Sequence, residues 1–182
     1  MDPYQGPGAT KSFLANFEKS AWPGHIDLWG SAMDEECRRA NAADLATCMV
    51  ANSSHPYMPA PVFITESLTD KVVLLYHDSM PNLPQWDSAT LDYMSRWQYN
   101  MTVGLKRAAT QAPYPAGVFT ASCFIHTGFT FNTPIVQGMS FYQAAAQWYY
   151  AISAGGPNPT LPFVADTCGV LCNPTCPHYA TQ

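Results

Sequence analysis

The alternation of apolar and polar positions yields two strand-like runs with one long helical run between them. Pro61-Val62-Phe63-Ile64-Thr65-Glu66-Ser67-Leu68 is largely apolar and β-branched, and it stops at Thr69-Asp70. Over residues 87–108, Leu91, Met94, Trp97, Met101 and Leu105 recur at steps of three and four. Asp87 suits the N-cap of that helix and Lys106-Arg107 its C-terminal dipole. After a turn containing Gly and Pro, Ala116-Gly117-Val118-Phe119-Thr120-Ala121-Ser122-Cys123-Phe124 reads as a second strand ending at Ile125-His126.

Strand, helix, strand is a crossover unit, expected to be parallel and right-handed. Parallel strands finish at the same sheet edge, where open α/β folds place their chemistry. That topology brings Asp70, after one strand, toward His126, after the other. A carboxylate and an imidazole at one edge is the arrangement that orients a general base. Glu66, inside the first strand, is an alternative acid.

The remaining pattern frames this unit. Residues 1–11 read as a loop, and Ser12 caps a short helix with Phe13, Leu14 and Phe17 on its buried side. Asp34-Glu35-Glu36 opens a helical turn around Cys37-Arg38-Arg39, and the polar stretch Asn52 to Pro61 reads as a loop. Further on, Phe141, Ala144, Ala145, Trp148, Tyr149 and Ile152 share a helical face, with Ser140 and Gln143 as a capping box. Gly155-Gly156-Pro157 ends that helix. The organisation expected is a single partial domain over 1–182. Residues 1–60 form a loop and short-helix region with Cys37 and Cys48, 61–126 the strand-helix-strand unit, and 138–182 a helix and cysteine-rich tail.

Composition narrows the class. The 182 residues are 47% apolar and 12% charged, enough for a core and too apolar for disorder. A net charge of −5 offers no electrostatic grip on nucleic acid, and no apolar run reaches the roughly 20 residues of a membrane span. Six cysteines fit a disulfide framework. Two N-glycosylation patterns, at Asn52 and Asn100, point the same way, toward a secreted or extracellular protein. The N-terminus carries no signal-peptide pattern, so the chain is expected to be a piece of something longer.

An Asp–His pair needs a nucleophile. Ser153, in Ala151-Ile152-Ser153-Ala154-Gly155, superficially fits a nucleophile elbow, but an elbow is a strand-to-helix turn and Ser153 falls in the last turn of a helix. Cys123 is better read as half of a disulfide than as a reactive thiol. His77-Asp78 read as a solvated loop, and His25, His55 and His178 sit in loops without metal-ligand spacing, so no metal or cofactor is expected. Trp86, Trp97, Trp148, Tyr149 and Tyr150 read mostly as core.

Several segments together resemble the pectin acetylesterase (Notum) family. They are Cys37-Arg38-Arg39 with Cys48, the strand from Pro61 to Asp70, Ser122-Cys123-Phe124-Ile125-His126, Gly138-Met139-Ser140, and the tail from Asp166 to Pro177 with its Asn173-Pro174-Thr175-Cys176-Pro177 ending. The resemblance implies a partial α/β-hydrolase-like fold: the C-terminal half of a mostly parallel sheet with flanking helices and a disulfide-rich tail. It implies a serine carboxylesterase in which Asp70 is the triad acid and His126 the triad base. The family's nucleophile, in a Gly-x-Ser-Ala-Gly-Gly elbow, and its oxyanion-hole residues would lie upstream of the matched region. The implied substrate is an acylated polysaccharide or acylated protein, and the implied location is extracellular or cell wall, as a monomer when full length. The pairing expected is Cys37–Cys48, which closes a short loop, Cys123 with Cys176 of the C-terminal cluster, and Cys168–Cys172 as the remainder. Two alternatives stand beside the esterase: a non-catalytic carbohydrate- or lipid-binding module, and a self-contained hydrolase using Ser153.

Overall fold

The computed structural model describes residues 3–10, 22–82, 86–110, 115–127, 133–155 and 159–177. The short helix expected from Ser12, with Phe13, Leu14 and Phe17, lies outside these residues, as do Gly156, Pro157 and His178.

Before the sheet the chain makes short elements: α1 (Trp22–Trp29), α2 (Glu35–Ala40), a 3₁₀ turn at Leu45–Met49, α3 (Ala51–Ser54) and a second 3₁₀ turn at His55–Tyr57. Asp34 caps α2, its carboxylate accepting from Cys37 N at 2.9 Å. The stretch after Asn52, expected to be a loop, is helical as far as Tyr57. Ser53 N and Ser54 N both bond back to Val50 O at 2.9 Å. Turns this short hold through tertiary packing rather than propensity, and here the Cys37–Cys48 disulfide pins the neighbouring segments together.

β1 (Phe63–Ser67) leads into a π-helical turn at Val73–His77, then α4 (Ser88–Thr110) and β2 (Gly117–Ala121). An antiparallel ribbon, β3 (Ile135–Val136) and β4 (Met139–Ser140), precedes α5 (Phe141–Ser153) and β5 (Phe163–Ala165). The main sheet runs β1-β2-β5, all parallel. Phe63 pairs with Gly117 and Ser67 with Ala121, so the two long strands end level with each other. β5 was not visible in the sequence pattern.

The central strand β2 is buried along its whole length, and its alternation divides the core. Val118 packs with Leu68 of the β1 end and Leu105 of α4. Phe119 and Ala121 face the other way, toward Ala144 of α5 and Val164 of β5. Helices therefore cover both faces, the α/β arrangement a parallel sheet requires. A third cluster joins Tyr4, Leu74, Leu75, Met80, Tyr93, Met94 and Trp97, anchoring the N-terminal strap on α4.

Two helical faces differ from expectation. On α4 the buried stripe runs through Thr90, Tyr93, Met94, Trp97, Gln98, Leu105 and Ala108, while Leu91 is 40% exposed. The stripe is rotated because Tyr93 and Gln98 find hydrogen-bond partners inside, Asp78 and the Gly169 carbonyl. Asp87 caps the helix, accepting from Thr90 N and Oγ1, each at 2.8 Å. On α5 the capping box of Ser140 and Gln143 is formed. Tyr149 and Tyr150, read as core, are exposed and pack on each other instead.

Candidate active site

β1 and β2 deliver their end residues to one corner of the molecule. Asp70 lies just past β1 and is almost fully buried. Its backbone carbonyl accepts from Leu74 N at 3.0 Å and its Oδ1 from Val73 N at 2.8 Å, so Asp70 also caps the turn that follows. The second carboxylate oxygen, Oδ2, lies 2.8 Å from His126 Nδ1. Half of the His126 side chain is open to solvent, against 3% for Asp70. With Nδ1 as donor to the carboxylate, the Nε2 lone pair is left for an incoming proton. The structure thus brings together the two residues the topology pointed to, 56 positions apart.

The contact is held from both sides. Ser67 Oγ and Thr69 Oγ1 both donate to the Cys123 carbonyl, Thr69 at 2.8 Å. Leu68 N reaches Ala121 O at 2.9 Å. Two hydroxyls from the acid's strand end therefore fix the loop that carries the histidine. From beneath, Ser122 N donates to Asp166 Oδ2 at 2.8 Å, and Asn173 Nδ2 donates to the same oxygen at 2.8 Å. Ser122 Oγ donates to Gly169 O at 2.6 Å. The six cysteines pair as Cys37–Cys48, Cys123–Cys176 and Cys168–Cys172. The second bridge ties the tail three residues before His126. Asp166 and Asn173 escaped the sequence reading as clamp residues, although both flank the Cys168–Cys172 cluster that folds them back.

Glu66 stands beside the pair. Its Oε1 accepts from Ser67 N at 2.8 Å. Burial first, then the adjacent Asp70 charge, push its pKa up to about 7.

Other polar residues sit differently from their sequence reading. Asp78, expected in a solvated loop, is buried; Tyr93 Oη donates to its Oδ2 at 2.8 Å, and its backbone carbonyl accepts from Tyr4 N at 2.7 Å. Burial raises its pKa against the pull of the Tyr93 bond. His77 belongs to the π-helical turn. His25 lies in α1 against the Trp29 ring, centroids 4.6 Å apart. His55 lies in a 3₁₀ turn, buried, with neither ring nitrogen hydrogen-bonded, and burial lowers its pKa.

Ser153 is the exposed last residue of α5, followed by Ala154 and then Gly155 at φ 65°. This is a helix C-terminus and not a strand-to-helix elbow. Among the described residues no serine hydroxyl is hydrogen-bonded to His126. Asn52 in α3 and Asn100 in α4 are exposed. Among the described residues no cluster of three His, Cys, Asp or Glu side chains could hold a metal, and no helix is long and apolar enough to cross a membrane.

Residues 10–177 match the family model described as Pectinacetylesterase. No curated protein matches the sequence. Among solved structures, the Wnt deacylase Notum from Drosophila superposes with a TM-score of 0.73 at 19% identity. The match covers 97% of this chain and 46% of the Notum chain, so the chain spans about half the length of that structure. At this identity the likeness is one of fold, an α/β arrangement with a parallel sheet that corresponds to part of an α/β-hydrolase fold.

Proposed function

The chain belongs to the pectinacetylesterase family, and from that premise we propose that it supplies the acid and the base of a serine carboxylesterase. One observation carries the reading: a buried Asp70 carboxylate bonded at 2.8 Å to Nδ1 of a half-exposed His126, at the common end of two parallel strands. His126 Nε2 takes the proton of a serine hydroxyl as its oxygen attacks an ester carbonyl, and returns it to the departing alcohol. In the second half-reaction the same nitrogen activates water, which releases the acid. Asp70 holds the ring in the Nδ1-protonated tautomer and stabilises the imidazolium.

The serine comes from a part of the enzyme outside residues 1–182, in a Gly-x-Ser-Ala-Gly-Gly elbow of the family's type, and Ser153 is not the nucleophile. Its exposed position in the last turn of a helix supports this assignment. The substrate class is an acyl ester of a polysaccharide or a protein. Three disulfides and two exposed sequon asparagines support action in an oxidising, extracellular compartment.

The test begins with the reading frame upstream of the Met1 codon, which should encode the serine elbow. The enzyme containing that elbow and residues 1–182 should hydrolyse an aryl acetate. His126→Ala and Asp70→Asn should each lower kcat by about 10³–10⁴-fold, while Ser153→Ala leaves it unchanged. Full turnover in His126→Ala would overturn the reading.

A further inference from the structure

Between Ser122, just past β2, and Ile135, the first residue of β3, lies the segment that carries His126. Both of its ends meet the same two side chains of the tail. Ile135 N donates to Thr175 Oγ1 at 2.7 Å, and the Thr175 hydroxyl donates to Asn173 Oδ1 at 2.6 Å. Asn173 Nδ2 donates to Ile135 O at 2.9 Å and to Asp166 Oδ2 at 2.8 Å. That same Asp166 oxygen accepts from Ser122 N. A path of side chains therefore closes the base of the segment, from the strand it leaves to the strand it enters.

Asn173 is the centre of this path. An amide side chain offers two N–H donors and two acceptor lone pairs. Asn173 is 6% exposed and uses all four: its donors go to Ile135 O and Asp166 Oδ2, and its oxygen accepts from Thr175 Oγ1 and from Thr175 N at 2.9 Å. The bond from Thr175 N fixes which end of the amide is oxygen. Every bond then has one direction. A buried network satisfied in this way holds a single geometry, because any rotation leaves a donor or an acceptor unmade. The Cys123–Cys176 bridge ties the tail to the near end of the segment; Asn173 and Thr175 reach the far end as well.

Resting on the esterase reading, we propose that Asn173 and Thr175 are positioning residues: by joining Ser122 to Ile135 they fix the base of the segment that aims His126 at Asp70. They act through the two ends of that segment rather than on the ring. An imidazole displaced by about 1 Å loses about 10²-fold in rate, so a small slackening at the base is felt at the reacting nitrogen. The Asn173-Pro174-Thr175-Cys176 run thereby has a role beyond its cysteine.

The first test needs neither serine nor ester, so it is read separately from the esterase reading. In the 182-residue chain, ring nitrogen-15 shifts report how much of the neutral His126 carries its proton on Nδ1, the form bonded to Asp70. Thr175→Val keeps the shape of the side chain and removes the hydroxyl; Asn173→Asp keeps the shape and removes both donors. Each should lower the Nδ1-protonated population at least about twofold. Thr175→Ser restores the hydroxyl and should return that population to the wild-type value. Amide exchange in α4 is followed alongside, because a general loss of stability would speed it too. His126 spectra in Thr175→Val that match the wild type overturn the proposal, as does a tautomer change that comes only with faster exchange throughout α4. In the enzyme that contains the serine elbow, Thr175→Val should lower kcat about 10–100-fold at constant KM. A rise in KM at constant kcat overturns the positioning role, whereas an enzyme without any turnover sinks the esterase reading and leaves the tautomer result standing.

Discussion

Asp70 is the residue on which the site converges, and Glu66 and, apart from the site, His55 carry pKa shifts of opposite sense. Glu66 has a folded-state pKa raised from 4.5 to about 7, so the stability it contributes is fully present below about 4.5 and is lost as pH rises through about 7. His55 runs the other way. Its buried neutral ring lowers its pKa from 6.5, so its contribution is present above that value and is lost as the pH falls. The two oppose each other in the mildly acidic range, and Asp78, raised by burial, adds to the Glu66 sense above 3.8. The stability of wild type relative to Glu66→Gln should therefore shrink steadily between pH 5 and pH 8. Urea midpoints at those two pH values check this, and a difference that grows with pH would contradict it. Asp78 and His55 were misread in the sequence for one reason. Each is set by tertiary burial, with a bond from Tyr93 of α4 in the first case and no hydrogen bond to the ring in the second, and neither leaves a trace in local pattern.

At the scale of elements, β2 positions the imidazole, and its first residue shows how tightly the sheet is covered. A Cβ at Gly117 would lie 2.5 Å from Trp148 Cδ1 and 2.8 Å from Phe63 Cδ2. Gly117→Ala should thus force the α5 ring off the sheet, at about 1–3 kcal/mol. A thermal melt that matches wild type would show that Trp148 can yield. The strand-helix-strand unit was legible because β1, α4 and β2 are each long enough for a period to register. The rotation of α4 was not, since its buried stripe includes Tyr93 and Gln98, whose polar ends are satisfied by distant partners. β5 was illegible for a plainer reason: it has three residues, begins straight after Pro162, and borrows its place from pairing with β2. The Asp70–His126 contact followed from strand ends alone, whereas the Asp166–Asn173 clamp needed coordinates.

For the whole molecule, the sheet order leaves β1 hydrogen-bonded on one side only among the described residues. Phe63 to Glu66 are only half-buried there. A parallel strand edge of this kind is a template for pairing with another chain. The isolated 182-residue chain should self-associate with rising concentration, seen as an earlier-eluting species by size-exclusion chromatography. It should turn over an aryl acetate no faster than its own His126→Ala variant. A strictly concentration-independent monomer would show that the edge is protected by residues outside those described. The Cys123–Cys176 bridge has a separate consequence. Two of the three bridges close loops of 11 and 4 residues, but this one spans 53. A protease nick anywhere between His126 and Cys176 would leave both pieces covalently joined, the histidine on one side of the cut and the tail on the other. Nicked material would therefore run as one band on a non-reducing gel and split into two only once thiol is added.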